Sequence, residues 1–159
     1  ISVFVDANIF VYHFCVGGDI IAERCSDFLL KVEGDQIHAF TSTSVIAETL
    51  HRAMIYEATT ETGLDPKGAM NKLRKNPELI KKLVQYSKIP KKIVDFGVQI
   101  QIISYQTILD SQYWRESYGF MVNDSILLAI MKKHTITNFV TNDSDFDLIP
   151  NLTIWKPSL

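Results

Sequence analysis

The chain has 159 residues, of which 47% are hydrophobic and 21% charged, a composition typical of one globular domain with a closed core. It has no run of about 18 apolar residues and no basic segment leading into a shorter apolar one, which argues against a membrane span and a secretory signal. We therefore expect a single-domain, cytoplasmic protein with no membrane partner. Cys15 and Cys25 lack a CxxC motif or neighbouring histidines, so we expect free thiols.

Charge is distributed unevenly along the chain. The net charge is −2, but residues 67–92, called the basic segment below, hold nine of the sixteen Lys and Arg residues and one acid, Glu78. The basic segment therefore carries +8 and the rest of the chain −10. This asymmetry predicts a basic element beside an acidic body.

The first half of the chain predicts alternating strands and helices. Residues 2–5 form a β-favouring run that ends at Asp6, and Asp19 is a helix N-cap candidate. The pattern predicts a helix from Asn8 to Cys15, a second helix that ends at Gly34, a strand over 37–41 and a third helix from Ser42–Ser44 to Thr60.

The second half continues the alternation after a helical insert over residues 57–92. Asp65-Pro66 and Asn76-Pro77 predict two consecutive helices over 65–88, with Pro90 ending the insert. Further predicted elements are helices over 91–97, 107–118 and 125–133 and strands over 98–104, 137–141 and 152–155. This order predicts an α/β fold, a three-layer α/β/α arrangement with a mainly parallel sheet of four to five strands.

Four acids occupy equivalent places in this pattern. Asp6 and Asp143 follow apolar β-like runs, whereas Glu48 and Asp124 lie near the starts of helices. Each of them alone is best explained as a cap, a turn residue or a surface charge. In a parallel sheet, however, all four positions lie at the carboxyl edge, where ligands bind.

Clustered carboxylates repel one another, and a cation removes the repulsion. Oxygen ligands without His or Cys select a hard divalent metal such as Mg²⁺ or Mn²⁺. Such a metal activates water and stabilises the oxygens of a phosphodiester. The four acids therefore predict metal-dependent hydrolysis of nucleic acid.

These motifs resemble the four-acid signature of PIN-domain nucleases, and in particular prokaryotic stand-alone PIN proteins of the VapC toxin type. The resemblance is carried by four runs and covers nearly the whole chain, with residues 57–92 matching least: Val5-Asp6-Ala7-Asn8, Ala47-Glu48, Val122-Asn123-Asp124-Ser125 and Thr141-Asn142-Asp143-Ser144-Asp145-Phe146. It implies an endoribonuclease that uses Mg²⁺ or Mn²⁺, forms a homodimer and is held inactive by an antitoxin.

The resemblance also implies individual roles. Asp6, Glu48, Asp124 and Asp143 would be catalytic and hold the metal, with Asp145 as a further ligand or a turn or N-cap residue. Asn8 and Thr141 would orient a carboxylate or a water. Two departures are Ala7, where many relatives carry Thr or Ser, and the long basic insert.

The basic segment has two interpretations that are compatible with each other. It is a cationic surface for RNA, or the solvated face of an amphipathic hairpin whose apolar side chains, including Val84, point inward. The RNA-binding candidates are Lys72, Arg74, Lys75, Lys81 and Lys82. Tyr113, Trp114 and Tyr118 cluster in a predicted helix, which favours a core or dimer-interface patch.

Two other functions compete with the nuclease. One is a catalytically inert PIN module that binds RNA or a protein partner, although all four acids are present. The other is a phosphatase of the haloacid-dehalogenase type, which uses Asp-x-Asp after the first strand. Here the second acid is replaced by Asn8, which removes the general acid that this chemistry needs.

Overall fold

Five short parallel strands form the central sheet of the protein. The structure is a computed structural model that describes residues 1–158. The strands are β1 (Ser2–Val5), β2 (His38–Ser42), β3 (Gln99–Gln101), β4 (Asn138–Val140) and β5 (Thr153–Trp155). Their spatial order is β3-β2-β1-β4-β5, and all four pairs are parallel.

Helices connect the strands and flank the sheet. The first group is α1 (Ala7–Cys15), α2 (Ile20–Glu33), α3 (Thr43–Thr62), α4 (Pro66–Lys75), α5 (Pro77–Lys82) and α6 (Ile89–Asp95). The second group is α7 (Tyr105–Asp110), α8 (Gln112–Tyr118) and α9 (Val122–Lys133), and short 3-10 helices cover Tyr86–Lys88 and Asp145–Leu148. The predicted three-layer α/β/α fold is confirmed.

The strand order creates a crevice beside the first strand. The chain runs from β1 outward to β3, then crosses back to place β4 on the other side of β1. In open parallel sheets a ligand site lies at such a reversal, beyond the carboxyl ends of the strands. Asp6 ends β1, and its backbone N–H donates to the carbonyl of Val140 at the end of β4 (3.0 Å).

The sheet is buried between the helices, as its apolar sequence requires. Phe4, Val5, Phe139 and Val140 are at most 5% exposed and pack against side chains of α1, α2 and α9. The helix starts follow the sequence: the side chains of Asp19, Ser42 and Asp65 accept backbone N–H groups of α2, α3 and α4. Both cysteines are free, as predicted.

Some element boundaries differ from the predictions. The strand predicted over 98–104 is limited to Gln99–Gln101, because only these residues pair with β2. The helix predicted over 107–118 is two helices that meet at Ser111, whose hydroxyl donates to the carbonyl of Ile108 (2.6 Å) and competes with helix bonding there. Pro90 lies in the first turn of α6 and does not end the preceding segment.

The basic segment packs on the second half of α3. Its apolar side chains Ala69, Leu73 and Leu83 form a small separate core with Ala58 of α3. Val84 was predicted to point inward but is 51% exposed, because Glu57 of α3 holds its backbone N–H. Residues 57–62 form the last turns of α3, and residues 63–92 follow as α4, α5 and α6. That residues 57–92 are an insert in a single domain therefore remains a prediction.

One carboxylate attaches the second half of the basic segment to α3. Glu57 accepts hydrogen bonds from the backbone N–H groups of Val84, Gln85 and Tyr86 at 2.8–3.1 Å. Partial burial opposes ionisation, but these N–H groups and Lys88 lower the pKa of Glu57 overall. The basic segment is therefore held to the same helix that carries Glu48. In the part of the chain that is described, no helix is long and apolar enough to cross a membrane.

Replacing Glu57 by Gln should loosen this attachment. We expect Glu57→Gln to lower the free energy of unfolding by roughly 1–2 kcal/mol at neutral pH, because a charged acceptor of several N–H groups is lost. The loss should shrink as the pH falls from the ordinary pKa of a Glu carboxyl through the lowered pKa of Glu57, because the carboxyl becomes protonated over this range. Urea unfolding measures it. Glu61→Gln, an exposed acid on the same helix, is the control and should change little.

Candidate metal centre

A buried carboxylate lies at the centre of the crevice. Asp6 is 7% exposed and accepts three hydrogen bonds: one from the N–H of Ala7 (2.7 Å), one from Nδ2 of Asn8 (2.8 Å) and one from the hydroxyl of Thr141 (2.7 Å). All three partners are donors, so the site is built for the ionised carboxylate. Asp6 also caps α1, which fixes its backbone.

Asn8 and Thr141 extend this network to the loop after β4. The amide of Asn8 also donates to Oγ1 of Thr141 (3.0 Å), and its Oδ1 accepts the N–H of Asn142 (3.1 Å). Oγ1 of Thr141 accepts the N–H of Asp143 (3.1 Å), and Oδ1 of Asp143 accepts the N–H of Asp145 (2.9 Å). A continuous chain of hydrogen bonds therefore links Asp6 to Asp143 and positions the loop between them.

The charges of the predicted acids affect one another at this crevice, and the four residues are called the acid centre below (Asp6, Glu48, Asp124 and Asp143). Burial raises the pKa of Asp6 from 3.8 to about 6; hydrogen bonds from Thr141 and Ala7 oppose the rise, and the charges of Glu48 and Asp124 add to it. Burial also raises the pKa of Asp124, and Asp143, Glu48 and Asp145 add to the rise. The acids are close enough to disfavour one another's charge.

The four acids of the acid centre do not form a compact metal-binding group within residues 1–158. Among residues 1–158, no three His, Cys, Asp or Glu side chains form a group compact enough to hold a metal ion. Glu48 is half-exposed and pairs with Arg52 on the next turn of α3 (3.6 Å). Asp124, in the first turn of α9, has neither a hydrogen bond nor a basic partner within the described part of the chain. Asp145 is exposed at the start of a 3-10 helix.

The donor set fits a hard divalent cation. Every candidate ligand is a carboxylate oxygen, and no His or Cys accompanies them among the described residues; burial, with the charges of neighbouring acids adding to it, raises the pKa values of Asp6 and Asp124. One further oxygen nearby, Oδ1 of Asn142, is buried without a hydrogen-bond partner within residues 1–158. Asp6, Glu48, Asp124 and Asp143 are the residues that could hold such an ion.

Three features of the site escaped the sequence analysis. Phe146 is buried between Phe139 and Phe120, with ring centroids 4.8 and 5.3 Å away, and anchors the loop that carries Asp143. Nη1 of Arg115 donates to the hydroxyls of Ser111 (2.7 Å) and Ser125 (2.8 Å), which fixes the turn beside Asp124. The third is the amide of Asn142. Of these three, only the contact between Ser111 and Arg115 had a signal in the sequence, because residues four apart in a helical segment lie on the same face.

The other predicted residues lie elsewhere. Lys72, Arg74, Lys75, Lys81 and Lys82 are all exposed on the basic segment and contribute nothing to the acid centre, and Lys81 pairs with Glu78 (2.6 Å). Tyr113 and Tyr118 are largely exposed and contact the half-buried Trp114 edge-on or tilted. Within this cluster on α8, Trp114 packs against the main core, whereas Tyr113 and Tyr118 lie at the surface.

The sequence matches the PIN domain family over residues 3–152. The chain therefore belongs to the PIN domain family. Comparison with curated proteins found no match.

Solved structures with a similar fold come from three bacteria. VapC20 of Mycobacterium tuberculosis, described as a sarcin-ricin loop cleaving toxin, is 17% identical with a TM-score of 0.58, covering 92% of this chain and 93% of that one. VapBC2 of Rickettsia felis, bound to a promoter DNA fragment, is 16% identical with a TM-score of 0.58 and 98% of each chain covered. A toxin-antitoxin complex of Klebsiella pneumoniae is 20% identical with a TM-score of 0.57, also covering 98% of each chain. At these identities the likeness supports the fold alone.

The raised pKa values predict a pH-dependent effect of one substitution. In EDTA, Asp124→Asn should leave the free energy of unfolding nearly unchanged at a pH of about 4 and increase it at a pH of about 7. The sign follows because an acid with a raised folded pKa holds its proton more tightly when folded, so its ionisation destabilises the fold as the pH rises.

Thermal unfolding at the two pH values measures this difference. Asp27→Asn, at an exposed acid on α2, is the matched control. A gain that is equal at both pH values, or equal in the control, would contradict an electrostatic origin. Asp6→Asn is less suitable, because its amide would face the donors of Asn8 and Thr141.

Proposed function

We propose that the protein is a metal-dependent endoribonuclease and the toxin of a toxin-antitoxin pair. The observation that carries the proposal is the presence of four carboxylates at the crevice between β1 and β4 of a PIN domain, where burial and the charges of neighbouring acids raise the pKa of Asp6 and of Asp124. A bound Mg²⁺ or Mn²⁺ would supply a water of lowered pKa and stabilise charge on phosphodiester oxygens.

The residues of the chain have separable tasks in this proposal. The ion would be bound by the four acids of the acid centre: Asp6, Glu48, Asp124 and Asp143. Asp145, two residues after Asp143 and exposed, would be a further ligand. Asn8 and Thr141 hold the Asp6 carboxylate in one orientation and keep it ionised through their donated hydrogen bonds. The hydrogen bond from Asp145 N–H fixes the Asp143 carboxylate in the same way. No side chain among the described residues at the site is a clear general acid, so the leaving oxygen would take up its proton from solvent.

The partners follow from the surface and from the similar structures. RNA is the proposed substrate, with the basic segment attracting its backbone beside an acid centre that repels it. One similar structure is described as a sarcin-ricin loop cleaving toxin and another as a toxin-antitoxin complex, which supports an antitoxin as the inhibitor. The exposed apolar side chains of α7 and α8, Ile108, Leu109, Tyr113 and Tyr118, support a homodimer.

A second candidate function is a PIN module that binds RNA or protein without cleaving. It is favoured by one observation, that the acids do not form a compact metal-binding group among the described residues. Calorimetric titration with Mn²⁺ separates the two functions. Binding that disappears with Asp124→Asn supports the nuclease, and no binding by the native protein supports the inert module.

Cleavage of RNA is the direct test. We expect purified protein to cut a mixed pool of structured RNA with Mg²⁺ or Mn²⁺ and to stop in EDTA. Asp124→Asn should lower the rate by roughly a hundredfold or more, because a metal ligand is lost while the fold is kept. Asp27→Asn, prepared in the same way, should cut at the native rate. Equal activity of Asp124→Asn and native protein would refute the assignment.

The role of the basic segment has its own test. Replacing Lys72, Arg74, Lys75, Lys81 and Lys82 by Gln should weaken RNA binding and lower the slope of log affinity against log salt by about 0.7 for each lost phosphate contact. Fluorescence anisotropy with labelled RNA over a salt series measures the slope. Lys31→Gln/Lys133→Gln, at exposed lysines outside the segment, is the control. An unchanged slope would leave the segment with a structural role only.

A further inference from the structure

Glu48 differs from the other members of the acid centre by its partner. Within residues 1–158 it is the only one of the four acids in an ion pair, with Nη1 of Arg52 3.6 Å from its Oε1. The other three have hydrogen-bond donors or no partner. The Glu48 carboxylate is therefore held along α3 by the guanidinium of Arg52.

This ion pair is easily broken. Both side chains are about 40% exposed, and the distance is longer than the 2.6–3.0 Å of the other three ion pairs. An exposed Glu–Arg pair four residues apart on a helix changes an equilibrium by about twofold. A divalent cation in the acid centre attracts Glu48 far more strongly than Arg52 does.

Arg52 lies between the acid centre and the basic segment. It is one turn beyond Glu48 on α3, and it lines a cavity of about 470 Å³ with Tyr56, Thr59 and Pro66, the first residue of α4. Apart from Glu48 it has no ion-pair or hydrogen-bond partner in the described chain. Once Glu48 turns away, the guanidinium is an unpaired cation on α3, between Glu48 and the turns of α3 that hold the basic segment.

We propose that Arg52 is an RNA-binding residue that Glu48 restrains until a divalent cation is bound. When Glu48 turns to the cation, the guanidinium is released and binds a backbone phosphate of the RNA beside the acid centre. A guanidinium suits this task, because its planar donors match two phosphate oxygens. The inference rests on the proposed nuclease function and adds a coupling between its two ligands.

The exchange predicts that metal and RNA assist one another's binding. Because coupling between two binding equilibria is reciprocal, the Glu48–Arg52 pair should weaken both metal binding and RNA binding in the free protein by a similar factor. That factor is set by the strength of the pair and is about twofold. The ion pair therefore restrains Arg52 in the free protein, and a cation bound at the acid centre releases it.

A double-mutant cycle tests the coupling without cleavage. RNA affinity is measured in EDTA by anisotropy of a fluorescein-labelled RNA stem-loop for native protein, Glu48→Gln, Arg52→Gln and the double variant. We expect Arg52→Gln to weaken binding about twofold more in the Glu48→Gln background than in the native one, because there the arginine is already free. Glu61→Gln on the same helix controls for the loss of one negative charge, and thermal unfolding confirms that each variant folds.

Titration with Mn²⁺ in the absence of RNA is the second half of the test. Arg52→Gln should bind Mn²⁺ about twofold more tightly than native protein, and the gain should disappear when Glu48 is already Gln. A purely long-range charge effect would persist in that background and would overturn the proposal. Equal weakening of RNA binding by Arg52→Gln in both backgrounds, or none in either, would overturn it too.

Failure of the proposed function gives a different result. If native protein binds neither Mn²⁺ nor the stem-loop, the nuclease assignment fails, and the inference fails with it. If native protein binds both and the cycle shows no coupling, only the role of Arg52 is refuted.

Discussion

The burial of one carboxylate at the meeting point of two strands is the constraint on which the site depends. Removing an ionised carboxylate from water costs several kcal/mol unless donors replace the lost water. Asp6 receives three such donors, and they come from the start of α1 and the end of β4. The chain therefore has to bring β1 and β4 side by side, and that pairing creates the crevice in which the other acids lie.

Charge separation is the second organising feature. The acid centre accumulates negative charge at one edge of the sheet, while the basic segment carries positive charge on its own small core. A single helix connects them: α3 holds Glu48 near its start, Arg52 one turn later and Glu57 beyond that. The distance between the two regions is thus set by one helix, so the proposed metal and RNA sites would lie on neighbouring turns of α3.

The sequence predicted those parts of the fold that depend on local chemistry. Asp19, Ser42 and Asp65 cap helices because their side chains reach N–H groups a few residues away, and no distant contact is needed. It failed where the outcome depended on distant partners. The length of β3 is set by β2, the break at Ser111 involves a bond to Arg115, and Val84 is exposed because Glu57 holds its backbone.

At the acid centre, too, some features follow from local sequence and others only from the tertiary structure. The sequence by itself determined which residue types are present and that four acids follow strand ends or start helices, because strand alternation and helix starts are local patterns. It also determined membership of the PIN family, through short motifs in a fixed order. Only the tertiary structure decided that Asn8 and Thr141 both donate to Asp6, that Glu48 pairs with Arg52 and that Asp124 has no partner among residues 1–158. These contacts join residues far apart in the chain or select one rotamer among several, and no local pattern specifies either.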